Sequence, residues 1–178
     1  ARFLPDWQHL TRPLEGVDGV LAVIEQLAGV PIPASAWESL VLPSRVRDYS
    51  PALLDELTSS GEVVWAGHGT LPGRDGWVSL HLADLAPFTL PLSDDEFVDD
   101  SLESTLLDAL RRGGAYFAAQ LKEMVAAENE QSVLEALWNL TWSGRVTNDT
   151  FAPVRTLLAG GSQAHKSGRR APRTRTFR

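Results

Sequence analysis

The chain has 178 residues, 43% of them apolar and 22% charged, an ordinary balance for a globular fold and enough length for one large or two small domains. Cysteine is absent, which excludes a disulfide framework, a thiolate zinc site and a cysteine nucleophile and fits a reducing cytoplasm. The net charge of −7 divides unevenly: residues 155–178 carry seven Lys or Arg and no acid, so a body at −14 precedes a tail at +7.

No apolar run approaches the roughly 20 residues of a membrane span, and the N-terminus lacks a signal-peptide layout. The chain opens without Met inside Phe-Leu-Pro-Asp-Trp, so residues 1–16 read as the end of a preceding unit. Asp18 is placed to cap a helix over 19–29, whose Val20, Leu21, Val23, Ile24 and Leu27 form one stripe that Gly29, Pro31 and Pro33 end. Ser35-Ala36-Trp37-Glu38 has the form of a capping box for a second helix, and Ser50-Pro51 opens a third, with Leu53, Leu54 and Leu57 inward and Gly61 closing it. The period then changes from helical to alternating. Val63 and Trp65 alternate with Val64 and Ala66, and Val78, Leu80 and Leu82 with Trp77, Ser79 and His81. The glycine-rich stretch from Gly67 to Gly76 between them predicts a long hairpin tip, a wing.

A linker over 87–101, with Pro87, Pro91 and the acids Asp94, Asp95, Glu96, Asp99 and Asp100, leads to a second pass through the same order. Leu102, Leu106, Leu107 and Leu110 stripe one helix, and Tyr116, Phe117, Leu121, Met124 and Val125 a second. A capping box at Ser132-Val133-Leu134-Glu135 begins a third, with Leu134, Leu137 and Leu140 inward. Its end repeats an earlier string: Leu54, Leu57, Thr58, Ser60, Gly61 and Val63 recur as Leu137, Leu140, Thr141, Ser143, Gly144 and Val146. A repeat of supersecondary size points to duplicated modules. The expected fold class is mainly α with small β-hairpins, as tandem winged-helix (helix-turn-helix) modules over 17–86 and 102–158. Val146 is expected to begin a second wing, incomplete if Phe151–Leu158 is helical. A basic tail follows over 159–178.

No Walker loop, GxGxxG, GxSxG, HExxH or CxxC occurs, and no catalytic residue is assigned. His68 and His81 face each other across the predicted hairpin but lack an obvious third ligand, so no metal site is assigned; the acids at 94–100 read as a solvated linker rather than a Mg²⁺ cluster. A third helix of this kind normally enters the major groove. Here the outward residues are Asp55, Glu56, Thr58 and Ser59 in one copy, and Glu128, Glu130, Glu135 and Asn139 in the other. Phosphate affinity comes from Lys and Arg. DNA contact is therefore assigned to Arg45, Arg47, Arg74, Arg145, Arg155 and the tail residues Lys166, Arg169, Arg170, Arg173 and Arg175. Trp37 and Trp65 fall at core positions. Trp138 and Trp142, four apart on one helix face, either extend the core or make a docking patch.

Several long strings carry a family resemblance: Phe3-Leu4-Pro5-Asp6-Trp7-Gln8-His9; Gly19-Val20-Leu21 through Glu25-Gln26-Leu27; Leu42-Pro43-Ser44-Arg45-Val46-Arg47-Asp48-Tyr49; Leu54-Asp55-Glu56-Leu57 with Ser60-Gly61-Glu62-Val63-Val64-Trp65; and Leu137-Trp138 with Gly144-Arg145-Val146-Thr147-Asn148-Asp149-Thr150. Over essentially its whole length the chain resembles the C-terminal region of bacterial Lhr (large helicase-related) proteins. The resemblance implies a parent ATP-dependent DNA translocase and helicase tied to repair, working in the cytoplasm at the nucleoid. Its motor, with ATP and Mg²⁺, would lie upstream, and no cofactor is expected in this segment. The implied partners are single-stranded or damaged DNA and other domains of the same protein, with homo-oligomerisation as a further option. The family's C-terminal region also resembles winged-helix DNA glycosylases, whose catalytic motif is of the Q-x-Q or Q-x-D type. Gln8, Gln26, Gln120, Gln131 and Gln163 lack the required partner, so any such chemistry is expected outside the segment. The reading is an architectural segment with auxiliary DNA contact. The alternatives are an interaction module that DNA never touches and a part of a glycosylase domain.

Overall fold

The computed structural model describes residues 3–8, 10–90, 101–111, 113 and 116–160. The acids at 94–100 and the tail residues Lys166, Arg169, Arg170, Arg173 and Arg175 lie outside them. A short helix α1 (Phe3–Trp7) leads to β1 (Leu14–Glu15), α2 (Gly16–Gln26) and β2 (Ile32–Pro33). Next come α3 (Ala34–Ala36), which runs into a π-type turn over Trp37–Val41, then β3 (Val46–Arg47) and α4 (Pro51–Ser59). The hairpin β4 (Val63–Leu71) and β5 (Asp75–Leu82) follows, and α5 (Ala86–Thr89) ends this half. β2, β5 and β4 form one antiparallel sheet in that spatial order, and β1 pairs with β3 in a two-residue parallel ladder.

The helices bury the stripes their periodicity marks. Val20, Val23 and Ile24 of α2, Trp37, Leu42, and Leu54 and Leu57 of α4 pack on Val63, Trp65, Val78 and Leu80 of the hairpin. The Trp37 indole is buried with its N–H donating to the Val78 carbonyl at 2.9 Å, so its polar atom has a partner as burial requires.

Local details differ from the sequence expectation in four places. The first helix starts at Gly16, two residues ahead of Asp18, which lies in its first turn. Ser35 caps nothing; its hydroxyl donates to the Asp75 carboxylate at 2.6 Å and ties α3 to the hairpin. The hairpin tip is only Pro72-Gly73-Arg74, because both strands run much further than the glycines suggest. Thr58 is buried rather than outward, its hydroxyl donating to the Leu54 carbonyl.

The second unit contains α6 (Leu102–Leu110), α7 (Ala118–Met124) and α8 (Glu130–Trp142) around Leu106, Leu121, Val133, Ala136 and Leu140. Ser101 caps α6, accepting from the Ser104 N–H at 3.1 Å. Asn129 caps α8 in the same way, three residues before the expected box at Ser132. Leu134 is 37% exposed, while Val133 and Ala136 take the inward positions. No strand begins at Val146 among the described residues. Asn148 makes an Asx-type turn, its side chain accepting from the Thr150 N–H at 3.1 Å, and Pro153 sits in the first turn of a helix, α9 (Ala152–Leu158).

That helix changes the division of the molecule. Trp142, Phe151 and Val154 belong to the first unit's core, with Trp138, Leu157 and Leu158 against it. Residues expected to complete a second winged helix instead close onto the first.

Candidate nucleic-acid interface

Two glycines permit the closure. A Cβ on Gly67 would overlap the Thr141 carbonyl oxygen, and one on Gly76 would overlap the Trp142 ring. Without side chains there, β4 and β5 accept the end of α8 at backbone distance. Trp142 stacks on Trp138, ring centroids 5.4 Å apart and planes 25° from parallel. Beyond the corner, Thr147 donates its hydroxyl to the Trp65 carbonyl at 2.7 Å, and the Trp65 indole N–H donates to the Asn148 carbonyl at 3.0 Å. Phe151 meets the Trp65 ring edge-on at 5.6 Å.

The closing segment covers part of the helix that would enter a groove. The Phe151 N–H donates to the Asp55 carboxylate of α4 at 3.1 Å. Arg155 of α9 donates Nη1 to both Glu38 oxygens, at 2.9 and 3.1 Å, and Nη2 to Asp55. The Tyr49 hydroxyl donates to the same Glu38 at 2.7 Å. Burial, the Glu38 hydrogen bond and the Glu38 charge push the Tyr49 phenol far above its ordinary pKa, so it stays protonated. Burial alone would lower the Arg155 pKa, but Glu38 and then Asp55 outweigh it and raise it. Removing one member of such a cluster leaves charges uncompensated, which costs more than the cluster contributes as a whole. The sequence contains Glu38, Tyr49 and Asp55 but gives no spacing signal that they meet Arg155, about a hundred residues away.

The expected DNA-contact residues therefore have different fates. Arg155 is an internal tie, its charge spent on two carboxylates. Arg45 is half-buried, with Nη1 donating to the Val41 carbonyl and the Ser44 hydroxyl, both at 3.1 Å, and burial lowers its pKa. Arg47 is exposed and pairs with Glu15 at 3.1 Å, a surface contact of small energetic value. Arg145 is half-buried at the corner after Gly144. Arg74 stands exposed at the hairpin tip with a positive φ of 65°. The neighbouring Asp75 is turned inward onto the N–H and hydroxyl of Ser35. The structure thus gathers no continuous basic surface from these residues.

The histidines are not a metal pair. No cluster of three or more metal-ligating residues exists among the described residues. His68 and His81 both hydrogen-bond Ser79 between them, a residue not singled out in the sequence. Where the second unit meets the closing segment lies a cleft of about 530 Å³, lined among others by Trp65, Tyr116, Phe117, Leu137, Trp138 and Asn148. Phe117 at its rim is 80% exposed, and Leu134 also reaches it. No described helix is long and apolar enough to cross a membrane.

Three helices, a hairpin wing and a third strand from between the helices define a winged-helix protein. Residues 1–83 match the family described as Large helicase-related protein, winged-helix domain. The chain is 54% identical to a Mycolicibacterium smegmatis protein named Lhr helicase/probable uracil glycosylase, over 97% of this chain and 12% of that protein. It is 46% identical to an Escherichia coli protein named Lhr helicase/uracil glycosylase, over 92% of this chain and 11% of that one. The chain belongs to the large helicase-related family, and it spans about one eighth of the length of these relatives.

Proposed function

We propose that this chain is a non-motor, C-terminal winged-helix segment of an Lhr-type DNA repair helicase, and that its main role is architectural. The observation that carries this reading is the closure of α8 and α9 onto the first winged helix. The face of α4 that would approach a groove carries Asp55, and its own chain occupies that carboxylate through Arg155. A winged helix used in this way holds protein against protein. DNA contact is auxiliary: Arg74 on the wing, Arg145, and the tail's Lys166, Arg169, Arg170, Arg173 and Arg175 touch phosphates of single-stranded or damaged DNA. ATP and Mg²⁺ serve the parent motor, and the parent works in the cytoplasm at the nucleoid. The relatives' names include uracil glycosylase; if the parent shares that activity, its catalytic residues lie outside this segment. The unit boundaries we propose are a preceding unit to residue 16, a winged helix over 17–86, a linker over 87–101, a helical unit over 102–158 and a tail over 159–178.

Salt-dependent affinity for single-stranded DNA tests the contact. The chain should bind with a log–log salt slope that falls by about 1 in Arg74→Ala and by more when residues 159–178 are removed. Absence of binding at low salt, with the tail present, removes DNA from the proposal and leaves the architecture.

A second reading is favoured by the cleft. Its exposed aromatic rim and acidic surroundings suit a protein partner, another domain of the parent or a second copy, better than a phosphate backbone. Light scattering of the isolated chain separates these: a clean monomer at high concentration excludes self-association and leaves a domain of the parent.

A further inference from the structure

The outer face of the wing holds an unbroken chain of polar side chains that the architectural role does not use. His68 Nε2 lies 2.5 Å from Ser79 Oγ, Ser79 Oγ lies 2.6 Å from His81 Nε2, and His81 Nδ1 lies 2.8 Å from Thr89 Oγ1. Thr89 Oγ1 in turn donates to the Leu85 carbonyl at 3.1 Å. Ser79 and His81 are wholly buried. The chain crosses from β4 through β5 to α5, the last described element before the connection to the second unit.

Its direction follows from counting protons. The single Thr89 proton goes to Leu85, so Thr89 must accept from His81 Nδ1–H. His81 is then neutral with a lone pair on Nε2, which accepts the Ser79 proton. Ser79 oxygen accepts from His68 Nε2–H. Every group is satisfied with both imidazoles neutral and in opposite tautomers. A proton added to His81 reverses Ser79, forces His68 into its other tautomer and leaves a buried imidazolium. The groups facing it are His68 on β4, Ser79 on β5, Thr89 on α5 and Gly29 in the loop after α2; none is an acid. Asp84, between β5 and α5, is exposed. A second proton, on His68, leaves Ser79 with no acceptor at all.

We propose that His68, Ser79, His81 and Thr89 form a proton-sensitive joint that holds α5 to the wing while both histidines are neutral and releases it on acidification. Burial lowers the pKa of both histidines, and for His81 the charge of His68 adds to this. The folded state therefore binds fewer protons than the unfolded one, and the sign is fixed: the joint holds fully above the ordinary histidine value of 6.5 and weakens as pH falls below it. Release would free a segment that already exposes Leu85, Phe88 and Leu90.

NMR of the chain with ¹⁵N-labelled histidine tests this. At neutral pH His81 should be the Nδ1–H tautomer and His68 the Nε2–H tautomer. Below pH 6.5, His81 and the amides of Ala86–Leu90 should shift in one common step. In Thr89→Val that step should leave the α5 amides, and in Ser79→Ala their hydrogen exchange at neutral pH should rise several-fold. An Nε2–H tautomer at His81, or α5 amides unmoved while His81 titrates, overturns the proposal. So does global unfolding before His81 titrates, because the joint would then not be the point that yields first.

Discussion

The two copies of the repeated corner are alike in every local bond and opposite in outcome. Thr58 donates to the Leu54 carbonyl and Thr141 to Leu137; Ser60 donates to Leu57 and Ser143 to Leu140. Gly61 and Gly144 both turn left-handed, with φ of 80° and 73°. After Gly61 the chain becomes β4 and pairs with β5. After Gly144 it stays irregular, with the Arg145 and Val146 N–H groups both directed to the Leu140 carbonyl. A strand needs a ladder, and only the first copy is followed by a second strand to supply one. The second corner satisfies its backbone against the first copy instead. Trp65 and Asn148 hold equivalent positions of the repeat, and they hydrogen-bond each other. The string encodes how a helix stops; whether a strand forms after it depends on a partner further along the chain.

Substitutions at the contact between the copies should therefore cost far more than their counterparts away from it. Gly67→Ala places a methyl on the Thr141 backbone carbonyl, which cannot swing aside as a side chain would. We expect a loss of about 3 kcal/mol in chemical denaturation, the upper range for overpacking. An unchanged midpoint would mean that the second unit is not held on the wing. Arg155→Met should cost about 2 kcal/mol, because Glu38 and Asp55 are left facing each other half-buried. The companion change Asp55→Asn in that background should recover part of the loss. The smallest effect is the most direct test of the comparison. Gly61→Ala carries only the left-handed backbone strain of about 1 kcal/mol, having nothing within 4 Å of the new Cβ. Gly144→Ala adds a contact of 2.8 Å with the Gly67 carbonyl oxygen and should be worse by about 1 kcal/mol. Equal losses in the two would show that the corners are not in different environments.

Much of the first winged helix is legible in the sequence because its signals are local. The stripe of Val20, Val23 and Ile24, the Pro51 helix start and the alternation around Val78 and Leu80 each follow from one element's own periodicity. Gly67 and Gly76 mislead for a physical reason. Read locally they are turn residues, whereas here they sit within strands because another helix needs the space above them. The acidity of α4 is visible in the sequence and argues against groove reading, but its partner Arg155 is not, since an ion pair across a hundred residues leaves no spacing pattern. Trp142 illustrates the same limit. Its helical spacing from Trp138 marks a shared face, and only the returning chain decides that the face belongs to the other unit's core.

The stacked indoles of Trp138 and Trp142 give this architecture its own optical reporter. Two transition dipoles held close and at a fixed angle couple into an exciton pair, whose circular dichroism depends on the rings keeping that geometry. Trp142 is held in place by Gly76 and the hairpin, whereas Trp138 lies half-buried beside the cleft. Opening the two units, or filling the cleft with a partner, would therefore change the couplet without any added label.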